Sequence, residues 1–148
     1  MTIAQQLKVK EFPFEIKDNN GNQIYFENSN GHWYRNEFDS NNNRIHYEDS
    51  DGFWRKKEYD SANNEIYSEQ SNGWWWKKEY DSNGNQIYYE QSDEWWWKKE
   101  YDSAGNQIYF ENSDGRIYDK RPKAITELTM DEIALKFNVP VSQLKIKK

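Results

Sequence analysis

The chain of 148 residues contains no cysteine and only three prolines and two histidines. Without thiols it can form no disulfide, no thiolate nucleophile and none of the usual cysteine-based zinc sites. His32 and His46 have no cysteine to complete a ligand set, so we interpret them as surface substitutions rather than metal ligands. We therefore expect no metal and no other cofactor.

Motifs for catalysis are also missing. The sequence has no phosphate-binding glycine loop and no nucleophile elbow. Carboxylates such as Glu79 and Glu90 recur once in each copy of the repeat described below, whereas a catalytic pair would occur at one place. The Asp-x-Asn-x-Asn run from Asp81 resembles the start of a calcium loop, but its twelfth position is Ser92, so a capped turn is predicted. These absences indicate that the protein is not an enzyme.

Aliphatic residues are scarce. Between Asn30 and Asp114 the only Ile, Leu or Val residues are four isoleucines, and the mean hydropathy of -1.33 would suit a disordered chain. The aromatic content of 18% indicates order instead, because each Trp, Tyr or Phe side chain can bury roughly 150 to 250 Å². Any packed interior must therefore be built from aromatic rings.

Long apolar segments are absent as well. No run approaches the roughly 18 apolar residues of a membrane span, and the start, MTIAQQLKVKEF, lacks the apolar core of a signal peptide. The formal net charge is -6: residues 1–119 carry 13 basic and 23 acidic side chains, and residues 120–148 carry 7 and 3. We predict a cytoplasmic protein that binds no membrane, with an acidic body and a basic tail.

A unit of 21 residues is repeated at least four times. The units begin at Gly31, Gly52, Gly73 and Glu94 and align without gaps, with partial copies at residues 12–30 and 115–118. One column reads Trp33, Trp54, Trp75 and Trp96, and another reads Ile45, Ile66, Ile87 and Ile108. Periods of 20 to 50 residues are typical of arrays whose units bury their faces against their neighbours.

Each unit contains two predicted strands. In the unit from Gly73, WWWKKEY precedes the turn sequence DSNGN, which is followed by QIYYE. Aromatic and β-branched runs bounded by Asn, Asp, Ser and Gly are strand signals, and their spacing predicts an all-β antiparallel meander or single-layer solenoid. We predict residues 1–121 as an aromatic β-hairpin repeat domain and residues 122–148 as a C-terminal helical segment.

The odd length of the unit constrains its loops. Side chains alternate between faces, so a 21-residue repeat keeps its faces only with one odd loop or a bulge. We assign a three-residue type I turn with a left-handed glycine to Ser82-Asn83-Gly84 and a two-residue turn to Asn72-Gly73. This register places Trp75, Lys77, Glu79, Ile87 and Tyr89 on one face, predicted to be packed, and Trp74, Trp76, Lys78, Tyr80, Tyr88 and Glu90 on the other.

With GNQIYYE and EYDSNGN, the unit resembles the tyrosine-aspartate (YD or Rhs type) hairpin repeats and the short MORN-type variants. The resemblance covers about residues 12–118 and implies a hairpin array, since such repeats serve diverse functions. Small Asn-, Tyr- and Trp-rich hairpin proteins also resemble bacteriophage accessory proteins, which implies the cytoplasm of a bacterial host cell. The unit is similar to wall-binding glucan and choline repeats too, but lacks their regular Gly-Trp pairs.

The tail changes character at Pro122. From Thr126 a helix is predicted, with Thr129 and Glu132 as a capping box and Asn138-Val139-Pro140 as its end. LTMDEIALKFNVPVSQLKIKK resembles the first two helices of a helix-turn-helix and equally the helical half of a LysM module. A third interpretation, which we favour, is a helical cap over the last edge strand.

Two classes of binding function follow, and glycan or cell-wall binding is a third. The first is a protein-binding module, of which a phage-encoded inhibitor of a bacterial defence complex, of anti-CRISPR or other type, is one case. The second is recognition of single-stranded nucleic acid or RNA, with indoles as stacking platforms. Exposed sheet edges also permit homo-oligomers. The predicted partner-binding residues are Trp74, Trp76, Trp95, Trp97, Lys78, Lys99, Tyr88 and Tyr109.

Overall fold

The computed structural model describes residues 1–122 and 127–145 as one antiparallel sheet with short helices near both ends. The sheet is an open meander in which every strand pairs with its neighbours in the chain, as the sequence predicts. Its strands are β1 (Phe14–Lys17), β2 (Gln23–Glu27), β3 (Trp33–Phe38), β4 (Arg44–Asp49), β5 (Trp54–Tyr59), β6 (Glu65–Gln70), β7 (Trp75–Tyr80), β8 (Gln86–Gln91), β9 (Trp96–Tyr101), β10 (Gln107–Asn112) and β11 (Ile117–Asp119). The helices are α1 (Ile3–Leu7) and α2 (Met130–Phe137), followed by a 3-10 turn (Val141–Gln143).

Both turns of the repeat have three residues. At Ser82-Asn83-Gly84 the Gly84 N–H donates to the Asp81 carbonyl at 3.0 Å, and Gly84 has a φ of +82°, which confirms the predicted type I turn with a left-handed glycine. The second turn is Ser71-Asn72-Gly73, closed by Gln70, so the predicted two-residue turn at Asn72-Gly73 is wrong. A type I turn with a following left-handed residue matches the twist of the strands as well as a two-residue turn does. Asn42, Asn63 and Glu94 take the same positive φ where other repeats have glycine.

A β-bulge at the isoleucine column restores the phase of the repeat. Tyr80 pairs with Gln86 while Glu79 pairs with Tyr88, which leaves Ile87 without a partner in the ladder. Two three-residue loops alone would place equivalent residues of successive repeats on opposite faces. The bulge supplies the single-residue shift that returns them to the same face.

Because of the bulge, the side chains after Ile87 lie on other faces of the sheet than the sequence predicts. Pairing places Trp76, Lys78, Tyr80, Tyr89 and Gln91 together on a surface that we call the aromatic face, and Trp75, Lys77, Glu79, Tyr88 and Glu90 together on a surface that we call the glutamate face. The predicted positions of Tyr88, Tyr89 and Glu90 are therefore wrong, because the extra residue at Ile87 exchanges their faces. The isoleucine column does lie with the Trp75 column, since Ile45 lines one hollow with Trp54 and mainly with other residues of the glutamate face.

Neither face is covered by a second layer over most of its area. The chain exposes 11250 Å², whereas a compact monomer of its 18.0 kDa exposes roughly 8,000 Å². Among the described aromatic residues only Tyr25 and Trp76 are buried, and Trp75 is half-buried. Tyr25 lies on the same face as Trp75, but from β3 to β10 the buried residues all lie on the other face, so the prediction that the Trp75 face is the packed one is wrong there: they are Asn36, Ser68, Trp76 and Asn112.

The first end of the sheet carries a helix that the sequence analysis missed. Glu27 is buried and accepts hydrogen bonds from the Thr2 hydroxyl (2.8 Å), the Ala4 N–H (3.3 Å) and the Tyr25 hydroxyl (2.7 Å), which fasten α1 to β2. Burial opposes ionisation of Glu27, but these hydrogen bonds outweigh it and lower its pKa. Thr2 and Gln5 form a capping box, and that pattern was the available sequence signal.

At the other end α2 begins after Thr129, whose capping box with Glu132 is confirmed, and ends at Asn138 in the left-handed conformation. In the described residues α2 packs mainly against the 3-10 turn, and Ile117 and Tyr118 of β11 stay exposed, so the predicted cap over the last strand is not seen there. The predicted start of the helical pattern at Thr126 and two of the tail lysines, Lys147 and Lys148, lie outside the described residues. No helix in the described ranges is long and apolar enough to span a membrane.

Candidate binding surface

An aromatic row crosses the sheet on the aromatic face, one side chain from each strand. Alternation and register bring every second side chain of neighbouring strands next to one another, so residues that recur at a constant spacing in the repeat form a row of side chains across the sheet. The row runs from β2 to β11 and comprises Phe26, Tyr34, Tyr47, Arg55, Ser68, Trp76, Tyr89, Trp97, Phe110 and Tyr118. Only Arg55 and Ser68 interrupt it.

The densest part of the row is a three-ring stack on β7, β8 and β9. The ring centroids of Trp76 and Tyr89 are 6.5 Å apart and those of Tyr89 and Trp97 are 6.2 Å apart, with the rings within 20° of parallel. Trp95 contacts Tyr89 edge-on at 5.8 Å. Offset stacked and edge-on pairs of this kind stabilise the positions of the rings by more than the burial of their contact area alone.

Two lysines lie on this stack. The Lys78 Nζ lies 3.8 Å from the Trp76 ring centroid, and the Lys99 Nζ lies 4.1 Å from the Trp97 centroid. Each ammonium group therefore occupies one ring face through a cation–π contact while keeping access to water. The result is a patch that presents indole edges and positive charge together.

Six of the eight predicted site residues meet on this face: Trp74, Trp76, Trp95, Trp97, Lys78 and Lys99. Trp74 and Trp95 are each 37% exposed, while Trp76 is only 9% exposed. Tyr88 and Tyr109 lie on the glutamate face, where their hydroxyls donate to Glu90 (3.0 Å) and Glu111 (2.8 Å). Their placement beside the tryptophans is thus wrong, and Tyr89 takes that position instead.

The hydroxyls of Tyr88, Tyr89 and Tyr109 have raised pKa values and stay protonated at neutral pH. Burial, followed by the charge of Asp93, raises the pKa of Tyr89, and burial with the bond to Glu90 raises that of Tyr88. For Tyr109 the hydrogen bond to Glu111 is the largest cause of the raised pKa. These phenols therefore act as hydrogen-bond donors and not as bases.

The two faces carry opposite charge balances over β3 to β10. The aromatic face holds five cations, Arg44, Arg55, Lys57, Lys78 and Lys99, against two carboxylates, Asp49 and Glu65. The glutamate face holds four cations, Arg35, Lys56, Lys77 and Lys98, against eight carboxylates, Glu37, Glu48, Glu58, Glu69, Glu79, Glu90, Glu100 and Glu111. Within these strands the excess of carboxylates is thus confined to the glutamate face, and acidic residues of the turns and ends add the rest of the body's negative charge.

In the parts of the chain that the structure describes, no three His, Asp or Glu side chains are arranged to hold a metal ion. The Asp81 carboxylate accepts from the N–H groups of Asn83 and Asn85, both at 2.9 Å, and from the Asn85 amide at 3.0 Å. This is the capped turn that the sequence predicts. His32 contacts Ser50 at 2.7 Å.

No protein-family model and no curated protein matches the sequence. Solved toxin structures share the fold: TcdB2-TccC3 with Cdc42 (18% identity, 67% of this chain, TM-score 0.50), TcdB2-TccC3-TEV (15%, 76%, 0.51) and a Photorhabdus luminescens Tc holotoxin pore (18%, 68%, 0.51). The match takes in 5 to 6% of those chains. The match supports the predicted array of repeated antiparallel β-hairpins, which resembles a small part of these toxins.

Proposed function

We propose that the protein is a non-enzymatic binding module that docks its aromatic face onto a partner protein. The observation that carries the proposal is the exposure of Trp74 and Trp95, each 37% accessible, beside the rigid stack of Trp76, Tyr89 and Trp97. Binding energy at protein interfaces concentrates in Trp, Tyr and Arg side chains. Rings already held by a sheet also lose little conformational entropy when a partner binds.

The geometry favours a protein over a single-stranded nucleic acid. A nucleobase that stacked on Trp76 or Trp97 would have to displace Lys78 or Lys99, whose ammonium groups lie 3.8 and 4.1 Å from those ring centroids. The net charge of -6 would also oppose a phosphate backbone, whose charge usually dominates such binding.

Within this proposal the narrower role is that of a phage-encoded inhibitor of a bacterial defence complex in the host cytoplasm. Its support is the resemblance of an array of near-identical Asn-, Tyr- and Trp-rich hairpins to bacteriophage accessory proteins. A defence-complex subunit would be the partner protein that covers the exposed indoles.

The test compares two double variants of the tagged full chain. Partners captured from bacterial lysate by the wild-type protein would be purified, and their affinity measured by calorimetry for each variant. We expect Trp74→Ser with Trp95→Ser to weaken binding by about 30-fold or more, as for loss of interface hot spots.

The matched control is Tyr88→Ser with Tyr109→Ser, which removes two aromatic rings from the glutamate face and should leave the affinity close to that of the wild type. Unchanged binding by the tryptophan variant, or equal loss in both variants, would contradict docking through the aromatic face. Preferential capture of an oligonucleotide would replace the proposal with nucleic acid binding.

A further inference from the structure

Two arginines depart from the repeat at the same place on the aromatic face. Arg44 occupies a column that elsewhere holds Gln23, Glu65, Gln86 and Gln107, and Arg55 occupies one that elsewhere holds Tyr34, Trp76, Trp97 and Tyr118. Each is the only cation of its column. Arg44 lies on β4 and Arg55 on β5, where Arg55 pairs directly with Tyr47.

The two guanidinium groups share one cleft. Arg44, Tyr47, Phe53 and Arg55 line a hollow of about 260 Å³. The Arg44 Cζ lies 5.3 Å from the Tyr47 ring centroid and the Arg55 Cζ lies 5.8 Å from the Phe53 centroid, while the two rings are 6.0 Å apart. The aromatic floor holds both cations at the surface without neutralising them.

Neither arginine forms an ion pair with a carboxylate in the described residues. The Arg55 Nε–H is buried and has no hydrogen-bond partner there, and the contact of Arg44 is a 3.4 Å bond from Nη1 to the Asn36 amide oxygen. The two carboxylates of this face are engaged elsewhere. Asp49 accepts from turn N–H groups and the Tyr47 hydroxyl, and Glu65 pairs with Lys57 at 2.8 Å.

We propose that Arg44 and Arg55 form a carboxylate-binding subsite that receives an Asp or Glu side chain from an acidic segment of the partner protein. Two guanidinium groups that line one cleft without a carboxylate partner attract an anion, and the planar geometry of a carboxylate is the one that guanidinium groups match. The inference rests on the proposed function in that it places the partner on the same face.

The surroundings favour an isolated carboxylate over a chain of phosphates. A polynucleotide needs cations that track its backbone. Here Lys57 is paired with Glu65, and Lys78 and Lys99 lie farther along the sheet on β7 and β9, so the arginines of β4 and β5 are the two neighbouring cations of this face without a carboxylate in the described residues.

The experiment titrates the full-length protein with a blocked hexaglutamate peptide and, separately, with a single-stranded oligonucleotide, following the arginine Nε–H signals by nuclear magnetic resonance. Arg44→Gln and Arg55→Tyr install residues that sister repeats carry in the same columns, so both variants should keep the wild-type melting temperature. Lys56→Gln, on the opposite face beside Arg55 in sequence, is the control with the same loss of charge.

We expect the peptide to shift the Arg55 Nε–H signal, with binding about tenfold or more weaker in Arg44→Gln and Arg55→Tyr and unchanged in Lys56→Gln. Equal weakening in Lys56→Gln, or none in the arginine variants, would overturn the subsite. Tighter binding of the oligonucleotide at the same residues would overturn its assignment to a protein carboxylate.

Failure of this inference is distinguishable from failure of the proposed function. The Trp74→Ser, Trp95→Ser variant should retain peptide binding at the arginines even if it loses the partner. Loss of peptide binding in that variant would show that the two regions are not separate subsites, and would also overturn the inference.

Discussion

At the scale of the residue, the two adjacent indoles Trp75 and Trp76 have different environments although both recur in strands of the same kind. Trp76 is 9% exposed, stacked on Tyr89 and covered by the Lys78 ammonium group, whereas Trp75 is half-buried against Tyr67. In a sheet without a second layer, lateral ring contacts and lysine side chains take over the burial that a core would supply. Stability should therefore depend more on the aromatic face.

We expect Trp76→Ala to lower the free energy of unfolding by about 3 to 5 kcal/mol, the usual cost of truncating a buried large aromatic side chain. Trp75→Ala should cost roughly 1 to 2 kcal/mol, because a half-buried ring removes less apolar area from water. Urea denaturation followed by circular dichroism would measure both. A larger loss for Trp75→Ala would mean that the glutamate face is the packed one in solution.

At the scale of the element, five turns with the pattern Asp-x-x-x-Asn repeat the same charge-assisted hydrogen bonds. In Asp18, Asp39, Asp60, Asp81 and Asp102 the side-chain amide of the asparagine four residues on is the largest cause of a lowered pKa. Neighbouring turns are also joined, for example by the Asn22 amide to Asn42 at 2.9 Å. Each hairpin is thus closed locally, and the first three of these turns are also tied to one another.

The lowered pKa values of these turn aspartates predict that the protein loses stability in acid. A carboxylate whose pKa is depressed in the folded state contributes stability above the pKa of the unfolded chain, near pH 4, and loses it as the pH falls through the folded value. The urea midpoint should therefore drop progressively below about pH 4. Asp60→Asn with Asp81→Asn should flatten that dependence, because two of the titrating groups are gone.

Ser82→Asn is the control for the acid experiment, since it alters an exposed residue of the same loop without removing a titrating group. It should keep the wild-type pH dependence. An unaltered pH profile in the double aspartate variant would show that carboxylates other than those of the turns govern acid unfolding.

At the scale of the whole molecule, the sheet is a one-dimensional array. Each strand contacts the strands before and after it, so stability is approximately a sum of hairpin and neighbour terms. The phase of the array depends on the combination of two odd loops and one bulge within every 21 residues. Whole units should therefore be removable.

We expect deletion of one unit, Gly52 to Asn72, to leave a folded protein with cooperative thermal unfolding. The junction rebuilds a three-residue turn with Gly73 in its left-handed position and places Tyr47 opposite Trp76, the counterpart of the Tyr89 and Trp97 pair. The midpoint should fall modestly, because a shorter array has fewer neighbour contacts. Calorimetry would measure it.

Deletion of ten residues, 63–72, is the contrasting variant. It joins two strands of the same kind and, through the same type of turn, brings Lys57 opposite Lys77 and Lys56 opposite Lys78. Like charges directly across a ladder are destabilising, and the half-repeat also breaks the phase of the faces. Equal cooperativity in the two deletions would be incompatible with the 21-residue repeat as the structural unit.

The sequence alone determined the features that arise from local physics. The strands, the meander, the left-handed Gly84 turn, the capping box of Thr129 with Glu132 and the aspartate-capped loops were all predictable, because they follow from alternation, turn preferences and short-range hydrogen bonds. The placement of six of the eight candidate residues on one face, including Trp74 and Trp95, followed from the same alternation within one strand.

Only the tertiary structure decided what depends on pairing between strands. The bulge at Ile87 exchanges the faces of Tyr88 and Tyr89. No residue in the run QIYYE predicts this bulge, because a bulge is set by the twist and hydrogen bonding of the partner strand. The greater burial of Trp76 than Trp75, and the docking of α1 on Glu27, likewise arise from contacts between residues distant in the chain. Local preferences do not encode such contacts, and the composition of the candidate binding surface depends on them.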